Sequence, residues 1–153
     1  MSPSPGAGSP RQALEELAAR GTAWPAWATA SPAGLRPAAV LVLFGVLDAL
    51  PAQHASRAVP ADLDLLLVGR STELTHHPGQ VAFPGGRIDP GDEGPVAAAL
   101  REAEEETGLD PAGVAVLGTH AALPVPVSRH LVTPVLAWWD RPSPVAVVDH
   151  RES

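Results

Sequence analysis

Cysteine is absent from this chain, and so is lysine. Without cysteine there is no disulfide framework, no thiolate-bound zinc, no iron–sulfur cluster and no thiol nucleophile, and the setting agrees with a reducing cytoplasm. Without lysine, arginine supplies all ten basic charges against 17 acidic residues, for a net charge of −7. An acidic chain with no basic run is a poor binder of nucleic-acid backbone, so no nucleic-acid partner is expected. Long apolar runs are also missing. The longest, residues 38–50, is broken by Gly45 and Asp48 and is too short for a membrane span. No positive region followed by an apolar one opens the chain, so no secretory signal is expected and the cytoplasm is the default location. Aromatic residues make up only 4%, whereas 18 prolines and 14 glycines imply many turns.

What remains suits one domain with a sizeable core: 153 residues, 45% of them hydrophobic. Residues 1–10 are small and aperiodic and read as a disordered tail. Residues 11–37 read as a helix over 11–20, with Leu14, Leu17 and Ala18 as its apolar stripe, then a connector packed through Trp24 and Trp27. The main domain is expected over 38–153. Its strands are expected at 38–46, 63–69, 114–118, 131–138 and 145–148. A helix is expected at 95–107, opened by Pro95 and closed by Gly108. This order favours an α+β domain on a mixed sheet.

Eight acidic residues fall between Asp89 and Asp110. On the expected helix, Val96, Leu100 and Ala103 form the packing stripe. Glu102, Glu105 and Glu106 share a neighbouring face at i, i+3 and i+4, while Glu104 points away. Such crowding is repulsive, and the helix C-terminus disfavours anions. A hard divalent cation, Mg²⁺ or Mn²⁺, would compensate, because it takes oxygen ligands and leaves positions for water and phosphate. The turn Phe83-Pro84-Gly85-Gly86 brings bare backbone near these carboxylates, and a glycine carbonyl there would add an oxygen. Arg101 either pairs with Glu105 one turn on or reaches back to Glu93 and pins the loop. The second is favoured, and both are structural support.

The segment GGRIDPGDEGPVAAALREAEEETGL resembles the Nudix box, G-x5-E-x7-R-E-U-x-E-E-x-G-U with U aliphatic. Residues 101–109 match position for position, with Ala103 as a small aliphatic. In the first half, the sixth position after Gly86 is Asp92, and Glu93 follows. Keeping the seven-residue spacing back from Arg101 assigns the loop glutamate to Glu93, with a loop one residue longer. The resemblance implies Glu102 and Glu106 as main metal ligands, Glu105 as a direct or water-mediated one, and Gly86 as a backbone ligand. It also implies that one of the carboxylates orients the attacking water in hydrolysis of a diphosphate bond. The fold it implies is an α/β/α sandwich. Relatives normally continue beyond the position of residues 145–149 with a helix over the second sheet face. That layer is expected to be missing here unless residues 11–20 or a second copy cover it, which leans towards a homodimer and raises the possibility of a truncated domain.

A second resemblance bears on substrate. Leu66-Leu67-Val68-Gly69-Arg70-Ser71, Gly79 and Phe83-Pro84-Gly85-Gly86 are similar to the motif of Nudix coenzyme A pyrophosphatases, L-L-T-x-R-[SA]-x3-R-x3-G-x3-F-P-G-G. Every spacing agrees, but Val68 replaces the threonine and Thr75 the second arginine. Arg70, Ser71, Gly79 and Phe83 are the implied substrate residues, though Arg70 also reads as a surface residue after a strand. His76 and His77 either stand in for the lost cation or are ordinary loop residues. Gln80 and His120 have no signal above packing or surface roles. The four tryptophans suit core or interface better than a base-stacking platform. The implied function is metal-dependent hydrolysis of coenzyme A, a small-molecule partner, to 3′,5′-ADP and 4′-phosphopantetheine. The alternatives are another nucleoside diphosphate derivative, such as ADP-ribose or an oxidised nucleotide, or a Nudix-like domain that binds without turnover.

Overall fold

The computed structural model describes residues 9–20, 24–25, 28, 34–46, 63–69 and 81–145. Two long strands form the centre of the sheet: β1 (Arg36–Gly45) and β8 (His130–Trp139), which run parallel with Leu41 beside Val135 and Leu43 beside Ala137. The other edge of β1 pairs antiparallel with β2 (Asp64–Leu65) at one end and β5 (Gly85–Arg87) at the other. β6 (Val114–Thr119) and β7 (Leu123–Val125) pair antiparallel with β8. A separate two-stranded ladder joins β3 (Val68–Gly69) to β4 (Val81–Ala82). Side chains alternate across each long strand, so Ala39, Leu41, Leu43, Val135, Ala137 and Trp139 all face one layer.

That layer is helix α2 (Pro95–Thr107). Ala98, Ala99 and Ala103 are fully buried against the sheet, with Val96 and Leu100 packed alongside. Alanine at the contact lets helix and sheet approach closely, which matters for the carboxylates one face away. The helix ends where Gly108 takes a left-handed conformation and its N–H bonds the Glu104 carbonyl. Thr107 is buried here: its hydroxyl donates to the Ala103 carbonyl at 2.7 Å and accepts from the Leu109 N–H at 3.2 Å. Leu109 then closes the core.

The opposite face carries helix α1 (Pro10–Arg20), which packs on β6 and β8. Ala18 lies over Gly118, where an added Cβ would come within 3.1 Å, and Arg11 holds Asp140 at 2.9 Å. The second layer expected to be open is thus partly supplied by the N-terminal helix, although none of its residues is fully buried. Trp24 stacks on His120 with ring centres 4.4 Å apart, and its indole N–H donates to the Ala121 carbonyl. Trp27 lies outside the described residues.

Two strand expectations need correction. The run 63–69 is two short strands with different partners, because the chain leaves β1 after Leu65 and then pairs with β4. Val145 is not in a strand, and residues 146–148 lie outside those described. Among the described residues no helix is long and apolar enough to cross a membrane.

Candidate functional site

β5 runs across the C-terminal half of α2, and the packing is tight enough to explain both glycines. A Cβ on Gly85 would strike the Ala39 carbonyl oxygen and come within 2.8 Å of the Val40 Cα. A Cβ on Gly86 would sit 2.6 Å from Glu102 Cδ and 2.8 and 2.9 Å from its two oxygens. Bare backbone therefore lies directly on the Glu102 carboxylate. Pro84 is fully buried behind this turn, and its carbonyl accepts from the Leu41 N–H at 2.8 Å, which fixes the turn to the central strand.

Arg101, immediately before Glu102, holds the loop down. Its Nε and Nη2 each donate to one oxygen of Asp92 at 3.0 Å, a two-pronged pair of the strong kind. Nη2 also reaches the Arg87 carbonyl at 3.3 Å and lies 3.3 Å from Asp89. Nη1 faces the other way, to Glu102 at 3.1 Å and to both oxygens of Glu105 at 3.3 and 3.4 Å. The Arg101 hydrogen bonds, with help from the Asp89 N–H, hold the Asp92 carboxyl below its ordinary value, and Asp92 in turn raises Arg101.

The loop carboxylate that Arg101 grips is therefore Asp92, not Glu93, which is exposed and makes no ion pair with Arg101. The local turn supplies the reason. The Asp92 N–H bonds the Asp89 carbonyl at 2.9 Å, and the Asp89 N–H bonds Asp92 Oδ2 at 2.8 Å. That closed turn presents Asp92 inward, where its side chain is 8% exposed. Sequence contained this signal, since Asp92 is the sixth residue after Gly86. The pairing of Arg101 with Glu105 is present as well.

Glu106 borders a small apolar cleft of about 130 Å³, lined also by Leu66, Leu67, Val68, Gly69, Thr107 and Val145. The segment leading to Arg70 and Ser71 thus meets the acidic helix. Arg70, Ser71 and Gly79, with Thr75, His76, His77 and Gln80, lie outside the described residues. Phe83 sits between β4 and β5 and is exposed. His120 packs on Trp24 and Trp139 belongs to the core.

Among the described residues no group of three acidic or histidine side chains is gathered on one point. Glu102 and Glu105 are turned onto Arg101 instead. The donor set nevertheless fits a hard divalent cation: carboxylate oxygens on adjacent turns, one of them pressed against glycine backbone. Among the described residues, one guanidinium, that of Arg101, is paired with four carboxylates across this site, an excess of negative charge.

A mixed sheet with a glycine strand laid on an acidic helix defines an α+β domain suited to an oxygen-ligated cation. The chain belongs to the Nudix family, whose NUDIX domain model matches residues 52–145. NudL of Escherichia coli K12, described as an uncharacterized Nudix hydrolase, is 50% identical over 72 residues, or 47% of this chain and 37% of that protein. The match thus spans little more than a third of the relative. Among solved structures, the Nudix hydrolase RenU of M. smegmatis superposes with a TM-score of 0.54 at 22% identity, covering 77% of this chain and 67% of that one. The C. elegans Ap4A hydrolase gives 0.54 at 21%, covering 75% and 76%. These likenesses establish the Nudix fold.

Proposed function

We propose that this protein hydrolyses the diphosphate bond of coenzyme A or a derivative, with Mg²⁺ or Mn²⁺, releasing 3′,5′-ADP and 4′-phosphopantetheine or its acyl form. The observation that carries the reaction type is the seating of Gly86 backbone on Glu102, on a helix face shared with Glu105 and Glu106. Glu102, Glu105 and Glu106 are the carboxylate ligands in this reading, and the Gly86 carbonyl adds a backbone oxygen. A divalent cation held there would neutralise diphosphate oxygens and lower the pKa of bound water. One of the same carboxylates orients or deprotonates the attacking water. Phosphoryl substitution is chiefly positioning and charge stabilisation, so no side-chain nucleophile is required. Asp92 and Arg101 keep the loop on the helix.

The choice of coenzyme A rests on the spacing Leu66-Leu67-x-x-Arg70-Ser71, Gly79 and Phe83-Pro84-Gly85-Gly86. It is supported by the cleft that brings residues 66–69 beside Glu106. Arg70, Ser71, Gly79 and Phe83 are the substrate-contacting residues in this reading. The test is to incubate the protein with Mg²⁺ or Mn²⁺ and, separately, coenzyme A, ADP-ribose, Ap4A and a nucleoside triphosphate, then to chromatograph the products. Release of 3′,5′-ADP from coenzyme A, with the others untouched, supports the proposal. Turnover of another substrate alone reassigns the specificity, and no turnover at all leaves a binding domain. Glu106→Gln is expected to abolish metal-dependent turnover with an unchanged circular dichroism spectrum.

A further inference from the structure

We propose that Arg36, Arg87 and Arg129 form a phosphate subsite at one corner of the sheet, which receives the 3′-phosphate of the substrate while the diphosphate lies at the acidic helix. The inference rests on the coenzyme A reading above. Seven arginines lie among the described residues. Arg11 and Arg101 pair with carboxylates, and Arg141 donates to the Ala112 carbonyl at 2.7 Å. Arg20 closes helix α1, where a cation suits the helix end. Arg36, Arg87 and Arg129 are exposed, and among the described residues no carboxylate pairs with them. Strand register brings these three together. Arg36 lies beside His130 on β8, and its N–H donates to the Arg129 carbonyl at 2.9 Å. Arg87 on β5 faces Ala38, two residues along β1 from Arg36. Arg36 and Arg87 are therefore diagonal neighbours on one sheet face, about 7–8 Å apart.

The corner begins one residue from the candidate cation site. A Cβ on Gly86 would point at Glu102, so alternation sends Arg87, the next residue, to the opposite face of β5. The other edge of β5 carries no strand among the described residues. A ligand with its diphosphate at Glu102 can thus pass round this edge and present a second phosphate, one ribose away, to Arg87. A chain of net charge −7 repels such a polyanion as a whole, and a local group of guanidiniums offsets that repulsion where the second phosphate falls. Guanidinium also takes phosphate oxygens in two-pronged bonds. Arg129 adds an independent sign. It is the only non-glycine residue with a positive φ among those described, at 59°, a conformation that glycine adopts at lower cost. The turn holds it there through the Ser128 N–H on the Val125 carbonyl at 3.2 Å and its own N–H on the Pro126 carbonyl at 3.1 Å. An arginine kept where glycine fits the backbone better points to work done by its side chain.

The experiment is isothermal titration calorimetry of the full chain in EDTA with 3′,5′-ADP, 5′-AMP and inorganic phosphate, with thermal unfolding recorded in parallel. 3′,5′-ADP is expected to bind about tenfold more tightly than 5′-AMP, the worth of a hydrogen bond to a charged group. Arg87→Gln and Arg129→Gly are each expected to remove most of that difference and to leave 5′-AMP unchanged. Arg129→Gly is expected to melt at or above the wild-type temperature, which separates lost affinity from lost fold. Arg20→Gln, the same change of charge away from the corner, is expected to alter neither affinity. Equal affinity of the wild type for the two nucleotides overturns the subsite, as does an equal loss in Arg20→Gln. Inorganic phosphate bound as tightly as 3′,5′-ADP assigns the corner to free phosphate and overturns its role towards the substrate. Failure of the reaction reads differently. Coenzyme A left intact under Mg²⁺, while 3′,5′-ADP still binds through Arg87 and Arg129, overturns the reaction and not the subsite. Coenzyme A and its 3′-dephospho form hydrolysed with equal kcat/KM overturn the subsite and not the reaction.

Discussion

Replacing Gly86 and Gly85 by alanine separates a requirement of the site from a requirement of the fold. Neither glycine has a positive φ, so backbone strain does not enter. At Gly86 the new methyl would meet Glu102 Cδ at 2.6 Å, about 0.8 Å short of the 3.4 Å where ordinary contact begins. The obstacle is the movable end of a side chain. The carboxylate can swing aside, and the stability loss is expected to stay below about 1 kcal/mol, under the usual cost of overpacking. The proposed cation site has no such escape, since a misplacement near 1 Å can cost about 100-fold in rate. At Gly85 the methyl meets the Ala39 carbonyl and the Val40 backbone of the central strand. Nothing there moves cheaply, and about 1–3 kcal/mol of destabilisation is expected. Urea unfolding reads the stability, and Mn²⁺ titration with product chromatography reads the site. A Gly86→Ala protein with wild-type affinity and turnover would refute the placement of Glu102 against the loop. A Gly85→Ala protein as stable as wild type would refute the close pairing of β5 with β1.

Three further outcomes test the frame. Leu41→Ala empties a fully buried position of the central strand and is expected to cost about 2–5 kcal/mol by urea unfolding. Thr107→Val keeps the shape but removes the hydroxyl between the Ala103 carbonyl and the Leu109 N–H. A loss of about 1–3 kcal/mol is expected, because that N–H is left buried without its partner. Acid unfolding tests the Asp92 fork independently of any metal. Arg101 and the Asp89 N–H lower the Asp92 carboxyl below 3.8 in the fold. The stabilisation is thus complete above that pH and is lost as pH falls through the lower folded value. Urea midpoints measured downward from about pH 6 should fall less steeply at the acid end in Asp92→Asn than in wild type.

Helix α2 was legible because its punctuation and its period agree. Pro95 opens it, Gly108 closes it, and the apolar stripe between them matches the observed bounds. The two central strands were legible to within two residues for a similar reason, as long β-branched and leucine runs with room for few alternatives. Strand β5 was not. Gly-Gly-Arg has no side-chain pattern to read, and what makes it a strand is a partner 47 residues earlier, Ala39 beside Gly86. The split of residues 63–69 into β2 and β3 is hidden in the same way. An apolar run reads alike whether one partner or two take its hydrogen bonds.

The acidic helix face followed from periodicity alone, but the partner of Arg101 did not, and the difference is instructive about spacing. Counting forward from Gly86 selects Asp92, whereas counting back from Arg101 selects Glu93, and composition cannot decide between adjacent carboxylates. A motif count assumes that an extra residue falls on one particular side of the conserved acid. Two hydrogen bonds between Asp89 and Asp92 close the turn first and commit Asp92 to the interior, so the extra residue is absorbed between Asp92 and the helix start. The shorter aspartate suffices because the turn has already carried its backbone towards the helix. Glu93 then has no charge partner on Arg101 and remains in solvent. Local hydrogen bonding, set over four residues, therefore overrides a spacing rule set over nine, and the same will hold wherever a length change falls beside a closed turn.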